Sequence, residues 1–357
     1  MTRGVLVMKQ NKLFSRRSVL SSGVAVAAVI AAPPILRAQA KKIVYATWGG
    51  SWEAAMKKAW FTPFTEATGI DVQTVSGNTY GKLQAMVEAK RTEWDVIEAL
   101  PELGRVGPQK GLLEPIDFGK IDRNAFLDRP GLVTDFVVPQ QLFGRLLVYS
   151  TKLAKAPSSW ADIFDTKTFP GKRALYNRPE GGPIEAALLA DGVAADKLYP
   201  LDIDRALKKL STIRDQILFY DTPSQAEQFL SDGQASMSLL ADGRALSIKK
   251  AGAQVELEPK VTLLTWSVLA VPKGAINKDA AMDFIAYATS AKGQVAIALE
   301  YNYGPVVGKA WEQIPSDRAK MLSGGPATEG KAVYQDAVWW GENLEKVNEK
   351  FLAWKLG

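Results

Sequence analysis

Short apolar segments alternate with amphipathic segments from residue 41 onward. Ile43 to Thr47, Asp71 to Thr74 and Asp95 to Ala99 have the apolar, β-branched character of buried strands. Between them, residues 51–67 and 80–89 repeat their apolar positions with the period of a helix. This βαβαβ order predicts a parallel sheet covered by helices, with any ligand bound beyond the carboxyl ends of the strands.

The same patterning begins again near Phe143. The segments 143–149, 174–176, 235–240 and 261–271 are typical of strands, and 280–299 is typical of one long helix. No repeat, low-complexity tract or long linker separates the two halves. The fold class expected is therefore α/β with two lobes, between which the chain passes more than once.

The pattern also predicts how the strands are shared. We expect strands 43–47 and 95–99 in one sheet, strands 174–176 and 235–240 in a second sheet, and strand 261–271 back in the first. The first lobe is predicted to contain residues 41–140 and 264–305, and the second lobe residues 141–263 and 306–357.

The first forty residues have a different character. They hold six basic side chains and no acidic one, then an apolar run from Val19 to Ala32, then Ala38-Gln39-Ala40. This order is typical of an export signal, and the apolar run is too short to span a bilayer comfortably. The pair Arg16-Arg17 resembles a twin-arginine signal. An amphipathic anchor helix is the alternative, and either Met1 or Met8 can be the start.

Charge and composition exclude several functions. Taking those six from the 44 Lys and Arg leaves 38, which equals the 38 Asp and Glu, so the chain after residue 40 is neutral. A neutral chain has no electrostatic footprint for nucleic acid. With no Cys and no His, it cannot form a catalytic triad with histidine, a thiol nucleophile, a disulfide or a typical zinc site.

Six short motifs occur in an order that resembles a known family. They are the strand ending at Trp48, the segments 64–72, 94–97, 111–117 and 159–164, and Gly304-Pro305-Val306. Their order is similar to that in periplasmic substrate-binding proteins of ABC transporters, in the spermidine/putrescine branch. The resemblance implies a two-lobed, type II-like protein that closes by a hinge around a small molecule in the cleft. It further implies a membrane permease as partner, a soluble periplasmic monomer, and no cofactor or metal.

The resemblance also implies ligand-binding residues, some of which depart from the family. Trp48 matches the cleft tryptophan of polyamine binders. Arg178 and Ser267 stand where those proteins have acidic residues, with a shifted Trp266 beside Ser267, and Asp242 lies near another cleft position. A site with one fixed cation and one or two anions favours a ligand with a carboxylate and an amine, such as γ-aminobutyrate, over a polyamine.

Three further residues complete the predicted site, and each has an alternative. Ser51 can cap a helix and offer amide groups to an anion, Glu102 can accept from an amine or begin a helix, and Tyr303 can line the cleft or pack between lobes. Trp48 can equally be a core residue, Arg178 a surface ion-pair partner and Asp242 a turn residue. Ligand contact is therefore a hypothesis for all eight residues.

A transport receptor, and not an enzyme, is the function that these features favour. An exported hydrolase using carboxylates remains an alternative, although no motif pairs two acids at a defined spacing. A ferric-ion binder of the same fold is another, suggested by Tyr301 and Tyr303, and an exported scaffold is a third. Ligand-induced change in tryptophan fluorescence would distinguish a hinged receptor from a scaffold.

We predict that replacing both Arg16 and Arg17 with Lys abolishes export, because twin-arginine recognition depends on the arginine pair and not on positive charge alone. Immunoblots of periplasmic and cytoplasmic fractions measure the effect. Replacing Lys9 and Lys12 with Arg is the control and should leave export unchanged. An undiminished periplasmic yield of the Arg16, Arg17 double variant would mean that the general secretory pathway is sufficient.

Overall fold

The computed structural model describes residues 41–325 and 332–357. The predicted export signal lies outside these residues. The strands are β1 (Lys42–Thr47), β2 (Asp71–Ser76), β3 (Val96–Ala99), β4 (Leu113–Glu114), β5 (Val138–Ser150), β6 (Lys172–Tyr176), β7 (Ile217–Tyr220), β8 (Ala235–Ala241), β9 (Val255–Pro272) and β10 (Val333–Tyr334).

Helices cover both faces of the sheet. They are α1 (Gly50–Met56), α2 (Thr62–Thr68), α3 (Tyr80–Glu88), α4 (Leu103–Gln109), α5 (Pro183–Ala190), α6 (Ile203–Ser211), α7 (Pro223–Ser231), α8 (Asp242–Lys250), α9 (Lys278–Ala288), α10 (Ala291–Glu300), α11 (Gly308–Trp311), α12 (Ser316–Ala319) and α13 (Ala337–Leu356). A π-helical turn, Lys57–Phe61, joins α1 to α2, so the predicted helix 51–67 is one continuous helical segment. In the part of the chain described, no helix is long and apolar enough to cross a membrane.

The strands form one hydrogen-bonded path in the order β2-β1-β3-β9-β5-β8-β6-β7. At one end β1 pairs in parallel with β2 and β3, and at the other end β6 pairs in parallel with β7 and β8. The long strands β5 and β9 join these ends as an antiparallel pair. The prediction of two separate sheets is therefore wrong, because β5 and β9 each run through both halves and keep the ladder continuous.

Three large hydrophobic clusters divide the core between the two halves. The first holds the side chains of β1, β3 and the end of β9, from Trp266 to Val271. The other two lie around β6 and β8, and one of them includes Trp340 and Phe351 of α13. We call these halves the first and second lobes. The predicted lobe boundaries at single residues stay a prediction.

The predicted helix 280–299 is interrupted. It forms α9 and α10, which are separated at Thr289 and Ser290. The Ser290 side chain accepts a hydrogen bond from the Gly293 amide at 3.0 Å and so caps α10. The apolar period continues through the break, which explains why the sequence pattern predicts one helix.

Gly304 lies at a close approach of three chain segments. Its amide and carbonyl exchange hydrogen bonds with Leu142 of β5 at 2.8 and 2.7 Å. A Cβ atom at Gly304 would lie 1.8 Å from the Ser323 carbonyl oxygen. Only glycine allows the segment after α10 to pair with β5 and pack beneath Ser323.

We predict that Gly304→Ala lowers the free energy of unfolding by about 1–3 kcal/mol, because overlap with a backbone atom forces the segment to move. Gly308→Ala is the matched control. A Cβ there has no neighbour within 4 Å, so stability should stay the same or rise by up to about 1 kcal/mol. Urea unfolding followed by tryptophan fluorescence measures both variants, and equal stabilities would contradict the prediction.

Candidate functional site

A cavity with about 480 Å³ of empty space lies where the two lobes meet the β5/β9 pair. It lies at the carboxyl ends of parallel strands, since Trp48 follows β1, Leu100 follows β3 and Tyr176 ends β6. The lining residues are Trp48, Trp52, Leu100, Gln141, Phe143, Arg145, Tyr176, Tyr220, Pro223, Leu239, Leu240, Ala241, Arg244, Ser267 and Tyr303. The position agrees with the general rule for ligand sites in open α/β sheets.

Aromatic rings form much of the cavity wall. The Tyr303 ring lies 5.0 Å from the ring of Trp52 and 5.6 Å from that of Phe143, measured between centroids. On the second lobe, Tyr176 and Tyr220 stack at 4.9 Å with an interplanar angle of 14°. Such surfaces suit the apolar part of a small ligand, and their faces attract ammonium groups.

Glu98 of β3 fixes the two tryptophans that line the cavity. Its fully buried carboxylate accepts hydrogen bonds from the Trp48 amide, from the Trp52 indole at 2.9 Å and from the Thr47 hydroxyl at 2.8 Å. Tyr45 and Gln140 donate to the same carboxylate at 3.1 and 3.2 Å. Burial raises the pKa of Glu98, and the hydrogen bonds from its donors oppose that rise.

Two buried arginines line the same cavity. Arg145 of β5 is 5% exposed, donates to the Gly181 carbonyl oxygen at 3.1 Å, and lies over the Phe143 and Tyr176 rings. Arg244 of α8 is 2% exposed and forms an ion pair with Glu227 at 3.1 Å. Burial alone would lower the pKa of Arg244, but nearby tyrosines and Glu227 raise it overall.

Three polar atoms of the cavity wall are buried and have no hydrogen-bond partner within the described part of the chain. They are Arg145 Nε, the Gln141 side-chain oxygen and the Tyr176 hydroxyl. Leaving a buried polar group unpaired costs about 1–3 kcal/mol, and more for a charged group. Residues of the wall thus carry an unpaired charged donor, an unpaired neutral acceptor and an unpaired hydroxyl.

Three of the eight predicted residues lie on the cavity wall: Trp48, Ser267 and Tyr303. Arg178 lies just beside it, with its guanidinium 5.4 Å from the Trp48 ring and 5.6 Å from the Tyr176 ring. Burial acts to lower the pKa of Arg178, but Tyr176 and Glu180 raise it overall. Contact of these four residues with a ligand stays a prediction.

Glu102 lies beneath this wall, in a second, smaller cavity with about 200 Å³ of empty space. It shares that cavity with Glu180, and Leu100 lines both cavities. The Tyr80 hydroxyl donates to the Glu102 carboxylate. Burial first, and then the charge of Glu180, raise the pKa of Glu102 to about 8.

Asp242 does not line the ligand cavity. It begins α8 and borders a different cavity, where its carboxylate accepts from the Ser323 hydroxyl and from the Gly243 amide at 2.8 Å. Burial raises the pKa of Asp242 to about 7. Contact between Asp242 and a ligand amine stays a prediction, which its partners Ser323 and Gly243 and its place outside the lining of the ligand cavity do not favour.

Ser51 and Trp266 also lie off the cavity wall. The helix cap at α1 is Gly49, and the Ser51 hydroxyl instead donates to Glu227 at 2.9 Å and contacts the Tyr301 hydroxyl at 2.7 Å. Trp266 is 1% exposed and belongs to the core of the first lobe, because alternate residues of β9 face opposite sides and Ser267 takes the cavity side. The expected helix cap at Ser51 is corrected, whereas ligand contact of Ser51 and Trp266 stays a prediction that their positions do not favour.

Sequence reasoning missed the residues that β5 contributes, namely Gln141, Phe143 and Arg145. Their segment is predicted as a strand from its apolar character, and an arginine inside such a segment is the one available signal of a buried charge. Arg244 also went unnoticed, since an arginine in a helix is ordinarily a surface residue.

Comparisons with known proteins identify the family. Residues 59–321 match the family described as bacterial extracellular solute-binding protein, and this protein belongs to it. The gamma-aminobutyric acid-binding protein of Pseudomonas aeruginosa is 33% identical over 353 residues, which cover 96% of each chain. The family and this relative are solute-binding receptors and not enzymes, which confirms the prediction of a transport receptor.

Two solved structures are similar over nearly the whole described chain. The Atu4243-GABA receptor is 38% identical with a TM-score of 0.76, covering 88% of this chain and 98% of that one. The periplasmic binding protein AgtB of A. tumefaciens R10, in complex with agropinic acid, is 30% identical with a TM-score of 0.83, covering 89% and 99%. The predicted two-lobed binding-protein fold is thus confirmed.

We predict that Asp242→Asn removes part of the pH dependence of stability. The folded pKa of about 7 lies above the unfolded value of about 3.9, so folding favours the protonated carboxyl and wild-type stability falls as pH rises from about 4 to 7. Asn cannot titrate. The variant should therefore gain on the wild type across this range, by up to a few kcal/mol.

Urea unfolding at half-unit steps from pH 4.5 to 8 measures the difference between the two proteins, which cancels the titration of all other groups. The difference should grow with pH and level off above pH 7 or so. A difference that does not depend on pH would contradict the prediction.

Proposed function

We propose that this protein delivers a small amino acid to the permease of an ABC importer, and that γ-aminobutyrate is the first ligand to test. The observation that carries the proposal is Arg145, a buried residue that lines the cavity and whose Nε has no partner within the described part of the chain. A carboxylate satisfies such a donor through charge-assisted hydrogen bonds. The names of the similar proteins that bind γ-aminobutyrate support the same choice.

The charge of the cavity wall opposes a polyamine. The lining residues include Arg145 and Arg244 and no Asp or Glu. A polyamine would place its positive charges beside two buried guanidinium groups, where repulsion is stronger than in water. A zwitterion offers one carboxylate to this side of the cavity, so its net interaction with the wall is attractive.

The ammonium end has acidic groups near the cavity. The Glu102–Glu180 pair lies in the neighbouring small cavity, and Leu100 lines both cavities. Among residues 41–325 and 332–357, one carboxylate oxygen of Glu180 is buried without a partner. We propose that the ammonium lies toward this pair and lowers the raised pKa of its carboxyls, so that the pair carries negative charge in the complex.

A ferric ion is less well supported. Iron ligation by tyrosine requires a phenolate, and burial raises the pKa of Tyr303 well above its usual value and that of Tyr301 to about 12. Tyr301 also shares its hydroxyl with Ser51. No cluster of three Asp, Glu, His or Cys that could hold a metal occurs among residues 41–325 and 332–357.

Export and assembly are part of the proposal. The predicted twin-arginine signal would deliver the folded chain to the periplasm, where receptors of this kind meet their permease. The balanced charge of residues 41–357 supports a protein that binds no nucleic acid, and we expect a monomer.

We predict that γ-aminobutyrate binds the wild type and that Arg145→Gln weakens binding by about 2–4 kcal/mol, the usual scale for leaving one partner of a buried charge pair alone. Putrescine and spermidine should bind weakly or not at all. Isothermal titration calorimetry measures all three ligands, with agropinic acid as a further arm.

Arg205→Gln is the matched control, because Arg205 is an exposed arginine paired with Asp191 and should leave affinity unchanged. Arg178→Ala is measured beside it and should also weaken γ-aminobutyrate binding. Tight spermidine or putrescine binding that survives both Arg145→Gln and Arg178→Ala would refute the proposed ligand class.

A further inference from the structure

We infer that Ser51, Glu227 and Arg244 form a clasp that holds the two lobes closed and sets how slowly the ligand leaves. This inference rests on the proposed function, since it concerns ligand release from the same cavity. Ser51 lies in the first turn of α1 in the first lobe, whereas Glu227 in α7 and Arg244 in α8 belong to the second lobe.

The clasp is a connected set of hydrogen bonds across the boundary between the lobes. Glu227 accepts from the Ser51 hydroxyl at 2.9 Å and from Arg244 Nη1 at 3.1 Å, both at the same carboxylate oxygen. The other terminal nitrogen of Arg244 donates to the Gly49 carbonyl oxygen at 3.0 Å. Two side chains of the second lobe thus bind a hydroxyl and a carbonyl group of the first.

The burial of Arg244 and Glu227 makes the loss of these hydrogen bonds costly. The Arg244 and Glu227 side chains are 2% and 12% exposed, so water cannot replace a lost partner freely. A buried ion pair is favourable only when its remaining hydrogen-bonding positions are filled. In the closed arrangement Ser51 and the Gly49 carbonyl group fill them, and opening the lobes would remove both.

The backbone at Gly50 shows how closely the lobes approach. Gly50 has a φ of 67°, and a Cβ there would lie 2.5 Å from the Ser224 hydroxyl oxygen and 2.9 Å from Arg244 Nη1. Both neighbours belong to the second lobe. The first turn of α1 is therefore seated against α7 and α8 with no room for a side chain.

Arg244 connects the clasp to the ligand cavity, because its guanidinium lines that cavity while it binds Glu227 and Gly49. Tyr301 makes a second connection, since its hydroxyl contacts Ser51 and its ring lies 5.4 Å from Trp52 of the cavity wall. A ligand that fills the cavity therefore meets groups whose position depends on closure.

The test compares Ser51→Ala, Glu227→Gln and the double variant by stopped-flow dissociation of γ-aminobutyrate. We expect dissociation to be about 5-fold faster in Ser51→Ala and about 10-fold faster in Glu227→Gln, with small changes in association, because lost interface contacts act mainly on dissociation. The double variant should fall short of the product of the two, since both substitutions remove the same hydrogen bond.

Glu256→Gln is the control. Glu256 forms an exposed ion pair with Lys249 of α8 at 2.6 Å without contacting α1, so dissociation should be unchanged. Urea unfolding of each ligand-free variant verifies that it folds. Unchanged dissociation in both clasp variants, or an equal acceleration in Glu256→Gln, would overturn the inference.

A second measurement does not depend on ligand identity. The chain contains no native Cys, so spin labels at Ala85→Cys of α3 and Lys208→Cys of α6 report only the distance between the lobes. Pulsed electron paramagnetic resonance of the ligand-free protein should show a smaller closed population in Glu227→Gln than in the wild type. If γ-aminobutyrate does not bind the wild type, the proposed ligand is wrong. An unchanged distance distribution in Glu227→Gln would overturn the clasp, whether or not γ-aminobutyrate binds.

Discussion

The antiparallel pairing of β5 with β9 is the constraint on which the rest of the molecule depends. These are the longest strands of the sheet, and each supplies residues to both lobes. The ladder changes register between Leu146 and Leu147, where partner residues jump from Thr262 to Glu258, and irregularities of this kind locally bend and twist a strand. Because Gln141, Arg145 and Ser267 belong to this pair, the ligand cavity is built directly on the connection between the lobes.

Buried carboxylates then fix each lobe against that connection. In the first lobe, Glu98 accepts from five donors, two of which are the Trp48 amide and the Trp52 indole. In the second, Glu185 accepts from Trp340 of α13 at 2.7 Å, from Tyr199 at 2.7 Å and from Gln335 at 2.9 Å. These donors make a buried carboxylate tolerable because hydrogen bonds replace its hydration, although the second carboxylate oxygen of Glu185 is buried without a partner within the described residues. The cost of burying it therefore favours one arrangement of the tryptophans around it.

Strands and helices whose signal lies in neighbouring residues were predictable from the sequence. The strands near Ile43, Val96 and Ala235 were predictable because buried parallel strands are continuous apolar runs, and capped helices such as the one at Tyr80 carry their signal in a few residues. The break at Ser290 and the unbroken sheet could not be predicted, because both depend on tertiary pairing. Only part of the site could be predicted from the sequence, for the same reason. Trp48 follows a strand end, whereas Arg145 faces the cavity only because of the register of β5 on β9.

The distribution of charge around the cavity gives the site a polarity that an amino acid matches. Arg145 and Arg244 both line the wall. Arg145 Nε has no hydrogen-bond partner within the described residues. Glu102 and Glu180 share a small buried cavity beyond Leu100, where burial raises the pKa of both and the charge of Glu180 raises that of Glu102 further. A polyamine would relieve the strain on the carboxylates and oppose the guanidinium groups, and a dicarboxylate would do the reverse. Under the proposed function, a zwitterion of suitable length would satisfy both ends in one orientation, and the charges that are costly in the isolated protein would become the source of its selectivity.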